Sequence, residues 1–217
     1  MPRGLAFQEL QNRRSSVTGK KLISRGVPAI FLVFNLAGCA IGPISGGSER
    51  ATSARYVFLV RHAERYFDSR EDPPLTPAGH ERAQALAETL RDAGITAIIT
   101  TQWQRTRDTA QRLATLLGIK LEVVPVHEGQ GGKNIDETAA AVRRHKGETV
   151  LVVGHVTVSG VIQALGGPQL PTICENVFSD LFLFVPALGE NGLVRLRYGA
   201  SEEISPTCRN LPEPERR

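Results

Sequence analysis

Three short apolar runs alternate along the chain with segments in which apolar residues recur at helical spacing. The runs cover residues 56–60, 96–101 and 149–153, and each is rich in β-branched or aromatic residues, as buried parallel strands are. After the second run the helical spacing extends over residues 103–117, and after the third it extends over residues 158–165. Strands that alternate with helices predict an α/β fold with a mostly parallel sheet.

The remaining segments predict further elements of this fold. A helix is expected from about Asp136 to residues 143–146, where cations favour the negative end of the helix dipole. Residues 129–132, Gly-Gln-Gly-Gly, are expected to form a mobile loop beside the site, since the lysine and hydroxyl of a phosphate-binding loop are missing. A long connection then leads to two late strands at residues 181–185 and 193–198.

Basic residues are concentrated where the predicted strands end. Arg61 and His62 follow the first run directly, and His155 follows the third. Arg105 falls in the first turn after the second run, beside free backbone N–H groups at the positive end of a helix. An isolated Arg-His pair is most often solvated, but ligands of open α/β sheets bind at the carboxyl ends of the strands. The set therefore predicts an anion site.

The ordered motifs around these residues resemble the histidine phosphatase superfamily, also called phosphoglycerate mutase-like. Its Leu-Val-Arg-His-Gly marker corresponds to residues 59–63, with Ala63 in place of glycine. Its Leu-Thr-x-x-Gly helix start corresponds to residues 75–79, its Ser-x-x-x-Arg-Ala-x-x-Thr-Ala element to residues 101–110, and its Gly-His to residues 154–155. The resemblance implies a three-layer α/β/α fold with a mostly parallel central sheet.

The resemblance also implies a mechanism. His62 would attack a phosphomonoester and form a phosphohistidine that water then hydrolyses. Arg61, Arg105 and His155 would surround the phosphoryl group, since guanidinium groups stay charged and bind phosphate oxygens through two parallel hydrogen bonds. No cofactor is expected, and no metal is expected because the histidines and cysteines show no ligand spacing.

The proton for the leaving alcohol is assigned to Glu128. Many members of the family supply this proton from a glutamate in the loop after the third strand, and residues 124–129 place Glu128 in about that position. The alternative is a solvated glutamate. Branches that use an acid directly after the second histidine are excluded by Val156. Relatives acting on phosphohistidine, a good leaving group, manage with a weaker acid or none.

The amino-terminal segment predicts export. Residues 20–25 are basic, and residues 26–38 are mostly apolar but too short to span a bilayer. They end in Leu-Ala-Gly before Cys39, which looks like a bacterial lipobox whose cysteine is lipidated. Because Ala40 is not aspartate, the expected location is the periplasmic face of the outer membrane, reached through the lipid anchor.

The domain organisation follows from this reading. Residues 1–38 are the signal peptide, residues 39–54 the lipidated cysteine and a flexible tether, residues 55–205 the phosphatase domain, and residues 206–217 a tail. Residues 1–38 hold six of the 26 Lys and Arg residues but one of the 22 Asp and Glu residues, so the remainder has a net charge near −1. The basic charge belongs to the signal, and nucleic acid is not an expected partner.

The remaining cysteines agree with export. Cys174 and Cys208 remain after lipidation, a pair that an oxidising periplasm allows to bond, with a free Cys174 as the alternative.

Short connections between the predicted elements leave no room for a large cap over the site. The pocket is therefore expected to be shallow and to favour hydrolysis of a small molecule, envelope glycan or phosphoprotein. A phosphate-binding lipoprotein without turnover and a phosphomutase are the alternatives, and the oligomeric state stays open.

Overall fold

The helices and strands follow the alternation that the apolar pattern predicts. The computed structural model describes residues 53–127, 129–155, 157–171 and 173–202, all of them in one compact unit. In chain order the elements are β1 (Tyr56–Arg61), α1 (Pro77–Leu90), β2 (Ala97–Thr100), α2 (Gln104–Leu117), β3 (Leu121–Val123), α3 (Gly131–Arg144), β4 (Thr149–Gly154), α4 (Val158–Ala164), β5 (Asp180–Phe184), a 3₁₀ helix (Pro186–Gly192) and β6 (Leu193–Arg197).

The strands form one six-stranded sheet in the order β3-β2-β4-β1-β5-β6. The pairs β1–β4, β2–β4 and β2–β3 are parallel. The pairs β1–β5 and β5–β6 are antiparallel. The two central strands, β1 and β4, are therefore parallel neighbours, and their carboxyl ends lie side by side.

Helices cover both faces of this sheet, which confirms the three-layer α/β/α prediction. Successive side chains of a strand point to opposite faces, and β1 follows this rule. Val57 and Leu59 pack in the cluster that holds residues of α3 and α4. Val60 packs in the cluster that holds residues of α1 and α2. No helix in the described ranges has the length and hydropathy needed to span a bilayer.

Helix α3 begins earlier than the sequence predicts. Gly131 and Gly132 form its first turn, so the expectation of a loop over these two residues is wrong, as is the start near Asp136. Glycine lowers helix propensity, but buried Asn134 and Thr138 extend the packed face of the helix toward its start. The Asn134 amide also donates to the carbonyl of Pro125 at 3.2 Å, which anchors this turn.

The cations at the end of α3 have a structural role. Arg144 donates to Glu122 on β3, and His145 contacts the same carboxylate at 2.8 Å. Burial raises the pKa of Glu122, but the hydrogen bonds from His145 and Arg144 outweigh it and hold that pKa below its usual value. These residues join the end of α3 to an edge strand, which agrees with the helix-end interpretation.

A buried arginine ties the segment after His62 to the far edge of the sheet. Arg82 of α1 is 4% exposed and binds the carboxylate of Glu64 at 2.8–2.9 Å. Its terminal nitrogens also donate to the carbonyls of Tyr198 and Ala200, both at 3.1 Å. Glu64 therefore forms an ion pair with Arg82 of α1.

The start of helix α1 packs against the segment that follows His62. Thr76 caps the helix by accepting from the Gly79 N–H at 3.1 Å, and the Thr76 N–H donates to the carbonyl of Glu64 at 2.9 Å. A Cβ added at Gly79 would lie 2.1 Å from that carbonyl oxygen. Glycine is required here because the helix and the strand end approach so closely.

The close approach at Gly79 predicts opposite effects on stability for two glycine substitutions, each in the first turn of a helix. Gly79→Ala should lower the free energy of unfolding by about 1–3 kcal/mol, because the backbone must shift to admit the methyl group. Gly132→Ala is the matched control, since nothing lies within 4 Å of its added Cβ. It should raise stability by up to about 1 kcal/mol. Urea unfolding of both variants measures the difference, and equal effects would refute the close approach.

Candidate active site

Arg61, His62 and His155 meet because β1 and β4 are parallel neighbours in register. Arg61 lies opposite Gly154, and the His62 N–H donates to the Gly154 carbonyl at 2.9 Å. The next residue on each chain segment is a histidine of the predicted set. The structure thus brings together three residues that the sequence placed at two separate strand ends.

The hydrogen bonds of His62 decide which ring nitrogen is a free base. Nδ1 lies 2.7 Å from the Ala63 carbonyl oxygen, and because a carbonyl only accepts, Nδ1 carries the proton. Nε2 is then an acceptor, and it lies 3.1 Å from Nδ1 of His155. His155 therefore donates to His62, and the two rings stack with centroids 4.9 Å apart.

Both histidines are neutral near pH 7 in the free protein. Burial lowers the pKa of His62 to about 2, which outweighs the opposing effect of the hydrogen bond to the Ala63 carbonyl, and the positive charges of Arg61 and Arg105 lower this pKa further. Burial also lowers the pKa of His155 to about 4, with Arg61 as the next cause. Nε2 of His62 is therefore an unprotonated nitrogen in a positively charged surrounding.

The guanidinium group of Arg61 is buried and held from one side. It is 1% exposed, and its two terminal nitrogens donate to the Cys174 carbonyl at 2.6 Å and to Glu175 Oε2 at 2.8 Å. The ring of Phe178 lies 4.5 Å from Cζ. Within the described ranges, the buried Nε–H of Arg61 has no hydrogen-bond partner.

Arg105 lies in the first turn of α2, as predicted. Asp72 accepts from the Gln104 N–H at 2.8 Å and lies 3.6 Å from the Arg105 guanidinium, so it caps the helix and partly balances the charge. The Trp103 ring lies 5.0 Å from Cζ of Arg105. Burial lowers the pKa of Arg105, as do the charges of Arg65 and Arg61.

Arg105 resembles Arg61 in one respect. Its Nε–H is also buried without a partner in the part of the chain that the structure describes. A buried donor without an acceptor is costly, and two such guanidinium donors beside an unprotonated histidine suit an anion with several oxygens. Phosphate has that character.

The neighbours of these residues were mostly not predicted. Glu175 lies 3.8 Å from Nε2 of His155 as well as against Arg61, and Asp72 and Phe178 also adjoin the site. They come from connections without hydrophobic periodicity, so no local signal marked them. Arg65 lies near enough for its charge to lower the pKa values of Arg61 and His155.

Two predicted residues, Glu128 and Cys39, lie outside the described residues, and their roles stay predictions. Cys174 is disulfide-bonded, which excludes the alternative of a free thiol. Its partner lies outside the described ranges, so the pairing with Cys208 also stays a prediction. Among the described residues, no group of three or more His, Cys, Asp and Glu side chains has the arrangement of a metal site.

Comparison with known families agrees with this geometry. Residues 57–127 match the model of the histidine phosphatase superfamily, branch 1. This match supports membership of the histidine phosphatase superfamily. Members of that superfamily are phosphatases and mutases.

Individual relatives are similar over part of their length. A probable phosphoglycerate mutase, GpmB, of Yersinia enterocolitica is 40% identical over 75 residues, which are 32% of this chain and 35% of the relative. A homologue from Enterobacter, also named a probable phosphoglycerate mutase, is 39% identical over 75 residues, with the same shares covered. The match thus spans about a third of the length of these curated histidine phosphatase relatives.

Solved structures share the fold. The phosphoserine phosphatase of Entamoeba histolytica superposes with a TM-score of 0.51 at 15% identity, covering 68% of this chain and 98% of that one. The ecdysone phosphate phosphatase of Bombix mori, solved with tungstate, gives a TM-score of 0.51 at 18% identity, covering 70% and 96%. Both share the mixed α/β fold of this chain.

The lowered pKa of His62 makes stability depend on pH. Below pH 6.5 the unfolded chain protonates this histidine but the folded chain does not until about pH 2. The stability that the neutral ring contributes is thus complete above pH 6.5 and is lost as pH falls below it, by up to about 1.4 kcal/mol per pH unit. Replacement by glutamine, His62→Gln, removes the titrating group.

Urea unfolding at pH 7.0, 6.0 and 5.0 measures this loss. The free energy of unfolding should fall more steeply toward pH 5 for the native chain than for His62→Gln. Equal slopes would contradict a buried neutral His62. His80→Gln, at an exposed position of α1, is the control and should keep the native slope.

Proposed function

We propose that this protein hydrolyses a phosphomonoester through a phosphohistidine formed on Nε2 of His62, without a metal ion. The observation that carries the proposal is the state of this nitrogen, which is unprotonated and lies beside His155 among the guanidinium groups of Arg61 and Arg105. A nucleophile fixed among permanent positive charges suits phosphoryl transfer, which depends on positioning and charge stabilisation.

The reaction has two displacements. In the first, the lone pair of Nε2 forms the N–P bond as the P–O bond to the alcohol breaks. His155 then passes its Nδ1–H hydrogen bond from His62 to a phosphoryl oxygen, and the Nε–H groups of Arg61 and Arg105 supply further donors. Glu128 is the proposed proton donor to the leaving alcohol. In the second displacement, water attacks phosphorus and gives a proton to the Glu128 carboxylate, the N–P bond breaks and returns its electron pair to Nε2, and inorganic phosphate leaves.

The departures from the commonest family pattern are compatible with this proposal. The hydroxyls of Thr101 and Thr106, which stand where serine and alanine are usual, bond to one another at 2.8 Å. Ala63 is buried, its N–H donates to Thr109 at 2.9 Å, and its carbonyl accepts from His62. The replacements are accommodated locally, which favours turnover over a phosphate-binding protein without activity.

A phosphomutase is the second candidate. It is favoured by the 40% identity over 75 residues to a probable phosphoglycerate mutase. The two activities differ in what leaves the phosphohistidine, since a mutase returns the phosphoryl group to a bound acceptor and a phosphatase gives it to water. Dependence of activity on a bisphosphorylated activator would identify the mutase.

The proposed site of action is the periplasmic side of a bacterial envelope, with Cys39 lipidated. The support is the basic and then apolar sequence of residues 20–38 followed by Leu-Ala-Gly-Cys. Phosphorylated small molecules, envelope glycans and phosphoproteins are the substrates to examine.

Removal of the nucleophile tests the reaction. In the full chain, His62→Ala should lower turnover of an aryl phosphate by about a thousandfold or more, measured with a chelator present. Because His62 is buried, His62→Gln is tested beside it, and circular dichroism verifies that both variants fold. An active His62→Ala enzyme would refute the mechanism. Bound phosphate without turnover in the native chain would favour the binding protein.

Replacement of the lipidated residue tests the location. Cys39→Ser should move the protein from the membrane fraction to the soluble fraction, because the acyl chains can no longer be attached. Cell fractionation and immunoblotting measure the distribution, and Ser45→Ala in the predicted tether is the control. Membrane association of Cys39→Ser would exclude the lipid anchor.

A further inference from the structure

One carboxylate bridges two residues of the site from a segment that no motif marks. Glu175 lies in the connection between α4 and β5. Its Oε2 accepts from the Arg61 terminal nitrogen at 2.8 Å, and its Oε1 lies 3.8 Å from Nε2 of His155. The side chain is 65% exposed, so it reaches these two groups from the solvent side.

On the arginine, Glu175 acts together with the residue before it. The carbonyl of Cys174 accepts from one terminal nitrogen of Arg61 at 2.6 Å, and Glu175 accepts from the other. A planar guanidinium held at both terminal nitrogens has a fixed orientation. Its Nε–H, which has no partner within the described ranges, is thereby left free and is held in one direction. The carboxylate therefore holds a terminal nitrogen of Arg61 and leaves the Nε–H available to an anion.

On the histidine, Glu175 faces the only nitrogen that can take a second proton. Nδ1 of His155 already donates to His62 at 3.1 Å, so a proton added to the ring goes to Nε2, which faces Oε1 of Glu175. The charges around His155 are otherwise unfavourable to that proton. Burial lowers the pKa of His155 most, the charges of Arg61, Arg105 and Arg65 lower it further, and Glu175 raises it.

We propose that Glu175 is a positioning residue of the phosphatase reaction, which fixes the orientation of Arg61 and stabilises the protonated form of His155 while the phosphoryl group is bound. This inference rests on the proposed function. Arrival of a phosphate dianion favours uptake of a proton from solvent at Nε2 of His155, and the Glu175 carboxylate, 3.8 Å from Nε2, balances the resulting charge. His155 then presents N–H groups on both sides, one toward phosphate and one toward Glu175.

The opposite role for the same carboxylate is competition. A carboxylate against Arg61 and His155 can act as a substitute for phosphate and must then leave before substrate binds. The two roles predict opposite effects of neutralising the side chain. Loss of the charge slows the reaction if Glu175 positions these groups, and it tightens phosphate binding without slowing the reaction if Glu175 competes.

The test compares Glu175→Gln, which keeps the shape and a hydrogen-bond acceptor, with Glu175→Asp, which keeps the charge. In the full chain, Glu175→Gln should lower kcat for an aryl phosphate by roughly tenfold, with KM changed by less than about threefold, as expected when a group acts mainly in the transition state. The alkaline limb of the kcat profile should move down by about one pH unit, because the protonated histidine loses an opposite charge. Glu175→Asp should recover part of both effects.

Glu88→Gln is the matched control. Glu88 is an exposed glutamate near the end of α1, and α1 begins at the site side of the sheet, so this residue lies toward the opposite edge. Glu88→Gln should have the kcat, KM and pH profile of the native chain. A merely structural role for Glu175 would lower stability without moving the pH limb, and urea unfolding of each variant separates the two.

Unchanged kcat and an unchanged pH limb in Glu175→Gln would overturn the inference. Tighter binding of inorganic phosphate with kcat preserved would overturn it in favour of competition. Failure of the proposed function looks different, since the native chain would then turn over no faster than His62→Ala. In that case calorimetric titration with inorganic phosphate still tests Glu175, because the alkaline loss of affinity should begin at lower pH in Glu175→Gln.

Discussion

A guanidinium group buried at the end of a central strand constrains much of this structure. Arg61 is 1% exposed, and a charge removed from water is stable only where hydrogen bonds and opposite charge replace its hydration. Cys174, Glu175 and Phe178 supply these partners. The long connection before β5 therefore has to return to the carboxyl edge of the sheet, and the backbone of that connection becomes part of the site.

The electrostatics of the free site suit the proposed reaction. Two neutral histidines lie among three guanidinium groups, with Glu175 and Asp72 as opposing charges. Net positive charge attracts a phosphate dianion, while the neutral state of His62 keeps a lone pair available. The same burial that makes protonation of the histidines costly thus suits His62 to its proposed role as the nucleophile.

Periodicity predicted the parts of the structure that depend on local sequence. The sequence pattern was sufficient to predict strands β1, β2 and β4, which are apolar runs, and helix α2, which has helical spacing. Each of these elements buries one continuous face. The parallel order of the sheet then brought His62 and His155 together. Side-chain contacts across the fold were not predictable. The ion pair of Glu175 with Arg61 and that of Glu64 with Arg82 join different segments of the chain. The sequence of neither segment contains a pattern that predicts which residue the glutamate contacts. Helix α3 began early because packing outweighed the low helix propensity of its glycines.

The spacing between the proposed nucleophile, His62, and α2 depends on an uncharged group. The Thr109 hydroxyl accepts from the Ala63 N–H at 2.9 Å and donates to the Arg105 carbonyl at 2.7 Å, so one oxygen joins the backbone after His62 to the backbone that carries Arg105. Dissolved salt screens the attraction between guanidinium groups and a phosphate, but it does not act in this way on a buried neutral hydrogen bond. Ionic strength therefore alters how strongly the site attracts an anion and leaves unchanged the distance across which the anion must fit.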